Sequence, residues 1–382
     1  MPRTLRSLAA LAVCALTATL VTSASASPTE PGLAGPGQHG SYPLVLGHRG
    51  TPGYRPEHTR AGYELAAEMG ADYLEPDLVP TKDGVLVDRH EPDISSTTDV
   101  TSHPEFTSRR TTKVIDGVAT TGWFTTDFTL AELKTLRAVE RLPDLRQHNT
   151  LYDGRDSILT LQEDLDLRAD LSARYERRIG IVPEIKHSTF FRSIGLPMEQ
   201  RTLDVLRRNK LDKPDSPVII QSFEVANLEF LHQHTPVALM QLTAATGSPA
   251  DFVASADRRT YADLTIRAGL RGVAKYATYL GPDKNQIVAR DAAGKLLVPT
   301  PLVRDAHRAG LLVTPYTFRN ENNFLPSDYR RGSNPADYGD AFAEYTLFFA
   351  LGVDGIFTDN SDTAVAARAA WLNAGRPLRA AA

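Results

Sequence analysis

The chain is short of thiols: its 382 residues contain one cysteine, Cys14. One thiol excludes an intrachain disulfide and any cysteine-built metal or nucleophile cluster. Basic blocks are also missing. Lysine and arginine total 42 against 46 acids, a formal net charge of −4 with histidine neutral. That balance, without a basic run, argues against a nucleic-acid surface. No stretch is apolar for long enough to span a membrane, and none is expected to insert stably. The one hydrophobic run near the start, Leu8 to Val21, follows Arg3 and Arg6 and precedes Ala24-Ser25-Ala26. This reads as a cleaved secretory signal over residues 1–26, of the general secretion type because no arginine pair is present. Val13 stands where a lipoprotein site wants a small residue, so Cys14 is not a lipid anchor. Cleavage before Ser27 would leave a secreted, extracytoplasmic chain free of cysteine.

Residues 27–41 are rich in Pro, Gly and Ser and read as a flexible leader. Beyond them a short apolar run, a polar turn and an amphipathic helical stretch recur. The predicted strands are 42–47, 71–79, 179–186, 217–223, 237–244, 272–281, 311–318 and 353–359. Eight strands with helical crossovers over 43–370 predict a (β/α)8 barrel. The alternative, an open doubly wound sheet, would want a glycine-rich phosphate fingerprint after its first strand, and none is there. Residues 91–158, rich in Thr, Asp and Arg, break the rhythm and read as an insertion over the barrel mouth.

Chemistry gathers at the strand ends. The first predicted strand closes on Gly47-His48-Arg49-Gly50, a proton-transfer group beside a permanent cation, which suits an anionic substrate. Taken alone, the tetrapeptide equally describes a turn histidine and a solvated arginine. The second strand carries Glu75-Pro76-Asp77, and residues i and i+2 of a strand point the same way. The third carries Glu184-Ile185-Lys186. Acids inside apolar strands are costly unless paired or metal-bound. Three of them at one mouth suit a hard cation such as Ca²⁺ or Mg²⁺, against the simpler reading of buried salt bridges. His90 closes the run at Val85–Val87, and His48 and His90 together can serve as general acid and base. Phe223, Tyr316 and Phe318 end later strands, fitting either barrel packing or an apolar wall for substrate.

Taken in order, GHRG (47–50), RPEHT (55–59), GADYLEPDLVPTKDGVLVDRH (70–90), PEIK (183–186), QSF (221–223), YTFRNEN (316–322) and GVDGIFTD (352–359) resemble the glycerophosphodiester phosphodiesterase family. The resemblance is to its secreted, periplasmic-type branch. It implies a barrel that hydrolyses deacylated phospholipids, small-molecule glycerophosphodiesters, to glycerol 3-phosphate and an alcohol. It further implies His48 and His90 as the acid–base pair and Glu75, Asp77 and Glu184 as ligands of one divalent cation, Ca²⁺ favoured over Mg²⁺. Arg49 and Lys186 would hold the phosphate. Glu57 is read as an acceptor for the His48–Arg49 backbone rather than a ligand. The chain departs from the family in reading His90-Glu91-Pro92 where many members have Asp and then Leu-x-Arg-Thr-Thr. It also has His58 where Asn is commonest. Rival readings are a phospholipase D-like lipid hydrolase, a hydrolase of polyglycerolphosphate polymer (teichoic acid), and a non-catalytic phosphodiester-binding protein. The insertion 91–158 is expected to limit substrates to small headgroups. No feature fixes an oligomeric state.

Overall fold

The computed structural model describes residues 42–375. The expected signal and leader, with Cys14, lie outside the described residues. In chain order the strands are β1 (Leu44–His48), β2 (Tyr73–Glu75), β3 (Asp77–Pro80) and β4 (Leu86–Asp88). A hairpin follows, β5 (Thr111–Ile115) and β6 (Val118–Gly122), then β7 (Gly180–Ile181), β8 (Glu184–Ile185) and β9 (Ile219–Ser222). The last are β10 (Ala238–Thr243), β11 (Tyr279–Pro282), β12 (Leu312–Val313) and β13 (Gly355–Thr358).

Two of the eight barrel strands are interrupted by proline, which has no N–H for the ladder. Pro76 separates β2 from β3, and Pro183 separates β7 from β8. The remaining bonds run on, with Val182 N donating to Leu74 O at 2.8 Å and Glu184 N to Pro76 O at 2.8 Å. Each pair is therefore one physical strand, as the sequence predicts for 71–79 and 179–186. Neighbours are parallel around the ring: β13-β1-β2-β7 on one side and β12-β11-β10-β9-β8-β3 on the other. The ring closes where Asp354 N reaches Val313 O at 2.7 Å and Phe357 N reaches Pro315 O at 3.0 Å. This is a closed (β/α)8 barrel.

Side chains inside the barrel follow the two-residue strand period. Leu46, Tyr73, Val182, Ile219, Met240, Tyr279, Leu312 and Phe357 form one buried interior cluster. The alternate strand residues meet the outer helices in a larger core that includes Val45, Leu74, Ile181, Ile220, Leu280, Val313 and Ile356. Helices such as Arg60–Glu68, Leu161–Arg174, Glu199–Arg208 and Ala341–Ala350 cover it. Thr59 and Thr160 cap the first two, Thr160 in a reciprocal capping box with Glu163. No helix among the described residues is long and apolar enough to cross a membrane.

Two boundaries differ from expectation. The strand predicted over 272–281 is only Tyr279–Pro282, because Gly272 and Val273 end the helix Arg267–Val273, which buries Leu270 and Val273. Residues 91–158 are not irregular throughout. They hold the β5–β6 hairpin, turned at Asp116-Gly117 with φ of 48° and 84°, the Asp-Gly turn favoured in two-residue hairpins. Phe106, Phe128, Leu133 and Leu136 of this segment join the core shared by strands and helices.

Candidate active site

The turn after β1 depends on both its glycines. A Cβ on Gly47 would lie 2.7 Å from Gly50 O, and Gly50 itself has φ +92° and sits against the Gly62 backbone. That close return onto the helix Arg60–Glu68 leaves His48 and Arg49 at the C-terminal mouth of the barrel. His48 Nδ1 lies 2.6 Å from Asp359 Oδ1, one residue beyond β13. The other Asp359 oxygen accepts from Arg146 Nη2 at 2.7 Å and Arg319 Nε at 2.8 Å. Burial would raise the Asp359 carboxyl, but Arg319, Arg146 and His48 hold it well below its ordinary range. Burial and the charge of Arg49 lower His48 to about 4 despite Asp359. The ring is therefore neutral at pH 7, and its Nδ1–H donates a hydrogen bond to the acceptor-only carboxylate.

The acids converge as the strand register requires. His48 pairs with Glu75 across β1–β2, and Asp77 with Glu184 across β3–β8. One carboxylate oxygen from each of Glu75, Asp77 and Glu184 lies within 4.8 Å of the others. Arg49 N donates to Glu75 Oε2 at 2.7 Å and Gln221 Nε2 to Glu75 Oε1 at 2.9 Å. Asp77 is held by Arg49 Nε at 3.1 Å and His58 Nε2 at 3.0 Å, and Glu184 by Lys186 Nζ at 3.0 Å. Burial, then Asp77 and Glu184, push Glu75 well above the carboxylate range; burial raises Glu184 to about 7 even with Lys186 beside it. Burial would raise Asp77 too, but Lys186 and Arg49 hold it well below the carboxylate range. Two of these three hard oxygen donors thus resist negative charge, and together the three fit a divalent cation.

Glu57 supports this group differently from the sequence expectation. Its Oε2 accepts from the Arg49 side chain at 3.1 Å and from Arg141 Nε at 2.9 Å, whereas the Arg49 backbone N–H goes to Glu75. His58 is fully buried and ties Asp77 to Tyr63, whose hydroxyl reaches Asp88 at 3.0 Å.

His90 faces the same mouth from beyond β4. Its Nδ1 is 3.1 Å from Glu91 Oε1, and Glu91 Oε2 is 3.0 Å from His187. Burial, with Arg49 and Lys186 nearby, lowers His90 to about 3. His48, Arg49, Glu75, His90, Glu184, Phe223 and Tyr316 all line one cavity of about 400 Å³. Asp77 lies behind Glu184 and Arg49. Lys186 does not line this cavity; it opens instead, with Glu184 and Phe223, on a neighbouring one.

Phe318 corrects the sequence reading. It is fully buried outside the barrel, stacked on Tyr345 at 5.2 Å and edge-on to Phe348 at 4.9 Å. Tyr316 N still reaches Pro282 O, but Phe318 N turns to Phe357 O, so the alternation lapses between them. Sequence reasoning also gave no role to Asp359, Gln221, Arg319 or Arg146. Asp359, Gln221 and Arg319 lie in the quoted GVDGIFTD, QSF and YTFRNEN stretches, and their strand-end positions were the available signal. Arg146 sits in the 91–158 segment with nothing local to mark it.

The model of the glycerophosphoryl diester phosphodiesterase family matches residues 48–363. The chain belongs to this family. It is therefore an enzyme of the hydrolase class, as the sequence resemblance implies. A glycerophosphodiester phosphodiesterase of Arabidopsis thaliana is 35% identical over 332 residues, covering 84% of each chain. One from Haemophilus influenzae is 30% identical over 343 residues, covering 84% of this chain and 88% of its own. Among solved structures, a Silicibacter pomeroyi protein of the same description aligns with a TM-score of 0.60 at 21% identity, over 89% of this chain and 96% of that one. An Oleispira antarctica phosphodiesterase, solved with sn-glycerol-3-phosphate, aligns at 0.56 and 19% identity over 85% and 96%. These structural likenesses show the barrel fold.

Proposed function

We propose that this member hydrolyses glycerophosphodiesters to sn-glycerol 3-phosphate and an alcohol, with His48 and His90 as acid and base and one divalent cation. A single observation carries the reading: two imidazoles, His48 and His90, line the same cavity as Arg49, Glu75 and Glu184. The product named for the Oleispira relative supports the substrate class. Glu75, Asp77 and Glu184 would hold the cation, which supplies charge neutralisation at a phosphodiester oxygen when bound. The donors are all oxygen, which suits Ca²⁺ or Mg²⁺, and Ca²⁺ is the one proposed from the resemblance to the secreted, periplasmic-type branch.

The chain's own groups perform the proton transfers. Arg49, fixed by Glu57 and Asp77, offers a permanent positive charge to the phosphate. One imidazole takes the proton of the glycerol hydroxyl next to the ester, whose oxygen attacks phosphorus to form a cyclic phosphate. The other gives a proton to the departing alcohol oxygen. The anionic phosphodiester favours the protonated form of one of the two rings, which supplies that proton. The roles then reverse. The second imidazole takes a proton from a water that attacks phosphorus, and the first returns one to the glycerol oxygen as the cyclic phosphate opens to sn-glycerol 3-phosphate. Asp359 keeps His48 in the tautomer whose Nε2 is free to accept.

Residues 43–370 make up the catalytic domain in this reading, residues 1–26 direct its secretion, and 91–158 caps the mouth. Contacts from the cap to the mouth support its role: Arg146 to Asp359, and Asn149 Nδ2 to Pro52 O at 2.8 Å. The test is release of glycerol 3-phosphate from glycerophosphocholine and glycerophosphoethanolamine against turnover of lysophosphatidylcholine micelles and polyglycerolphosphate. Preference for the small diesters supports the reading. Preference for micelles or polymer, or binding without turnover, replaces it with the corresponding rival.

A further inference from the structure

Beside the catalytic cavity lies a second, of about 540 Å³, with Glu184 and Phe223 common to both. A diester whose phosphate sat at Glu184 would have room for one ester branch in each cavity. The two cavities differ in charge. The first carries Arg49, Lys284, Arg290 and Arg319 with the amides Asn285 and Asn323, a lining suited to a phosphorylated polyol. The second is walled by Asp116, Lys186, His187, Glu224, Phe223 and Tyr261.

Its cations already have partners. Lys186 Nζ is 3.0 Å from Glu184, and His187 is held between Asp116 at 2.6 Å and Glu91 at 3.0 Å. Glu224 has no cationic partner among the described residues. Its carboxylate accepts from Thr189 N at 3.1 and 3.0 Å and from the Thr189 hydroxyl. Asp251 behind it is likewise met only by backbone N–H groups, of Val225 and Ala226. Phe223 meets Tyr261 edge-on at 6.1 Å, so an aromatic wall stands beside this uncompensated acid. Burial, with Asp251 and Asp116 nearby, raises Glu224 to about 7, so a cation placed beside it would stabilise its charged form, and the aromatic rings would face the same cation.

We propose that the second cavity receives the leaving alcohol and that Glu224, with Phe223 and Tyr261, selects an alcohol carrying an ammonium group. The assignment rests on the phosphodiesterase reading above for the word leaving, but the cavity's preference for a cation can be measured without turnover.

The variant is Glu224→Gln in the full chain, which keeps an oxygen for the Thr189 N–H. With glycerophosphocholine, kcat/KM should fall about tenfold, mostly through KM, while glycerophosphoglycerol, whose leaving alcohol is uncharged, changes less than about twofold. Equal losses on both substrates, or none on either, overturn the selection. Calorimetry with choline supplies the second measurement: the wild type should bind it and Glu224→Gln should bind it at least several-fold more weakly. Choline binding that is absent, or indifferent to Glu224, overturns the proposal even if the enzyme turns over. A wild type that cleaves no diester yet binds choline through Glu224 refutes the phosphodiesterase reading and leaves the cation site standing.

Discussion

Replacing Asp359 by Asn tests whether His48 is a prepared base or a histidine that merely lines a cavity. The side chain keeps its volume, but the acceptor at 2.6 Å from His48 Nδ1 becomes an amide able to donate. If the amide donates, the ring proton moves to Nε2, and the nitrogen presented to substrate can no longer accept. Loss of the carboxylate charge also lowers His48 further, because Asp359 is what raises it against burial and Arg49. A misplaced general base is worth about 10²–10⁴-fold in turnover, so kcat should drop within that range.

Structure sets the accompanying stability change. Arg146 retains Glu321 Oε1 at 2.6 Å, and Arg319 retains its place over the Phe324 ring at 4.5 Å. Neither guanidinium is left wholly without a partner, so the loss should be about 1–3 kcal/mol, below the 3–5 kcal/mol typical of a fully broken buried pair. Turnover of glycerophosphocholine and urea denaturation of the same preparation give both numbers. A folded variant that keeps more than about a tenth of wild-type kcat would refute a proton-transfer role for His48.

His90→Ala should likewise lose about 10²-fold or more in kcat, with an unchanged circular dichroism spectrum; a loss under tenfold would take His90 out of the reaction. Exhaustive chelation should abolish activity and Ca²⁺ should restore it at least as well as Mg²⁺, whereas full activity in a preparation free of metal by elemental analysis would discard the cation. His187 provides the pH dependence. Burial opposes its charge, but hydrogen bonds to Asp116 and Glu91 raise it to about 9. Its contribution is therefore full below the unfolded pKa near 6.5 and lost as pH rises through 9. Urea midpoints at pH 6 and pH 9.5 should show a stability gap between wild type and His187→Gln that shrinks by about 1–3 kcal/mol.

What was legible in the sequence was whatever the strand period and a local turn determine. Glu75 and Asp77 share a face because they stand two positions apart, and the 4.8 Å gathering of the acids follows from the register. Less legible were contacts set by chain closure. Asp359 meets His48 across 311 residues, and Arg146 reaches Asp359 across 213, so no local pattern announces either. Phe318 shows the reverse failure. Its position two residues past Tyr316 looked periodic, but the chain had already changed its ladder partner, and the ring went to the Ala341–Ala350 helix. The β5–β6 hairpin was encoded by an ordinary Asp-Gly turn inside a stretch whose polar composition masked it.

The same strand period explains why the site forms at one end of the barrel. Step two residues along five of the barrel strands from the apolar interior cluster, and the side chain becomes polar. Leu46 gives way to His48, Tyr73 to Glu75 and then Asp77, and Val182 to Glu184. Ile219 gives way to Gln221 and Phe357 to Asp359. The apolar layer below excludes water and fixes the strands, which is what makes a buried carboxylate resist its own charge. The polar layer above cannot relax outward, because each member is bonded to a neighbouring strand: His48 to Asp359, Gln221 to Glu75, Arg49 to Asp77. Hydrophobic packing thus supplies the rigidity and the electrostatic pressure together. Moving any of these acids by one residue would turn it toward the outer helices, where Leu74, Ile181 and Ile220 now pack. The barrel is in this sense the device that holds three carboxylates close enough for one divalent cation to bridge them.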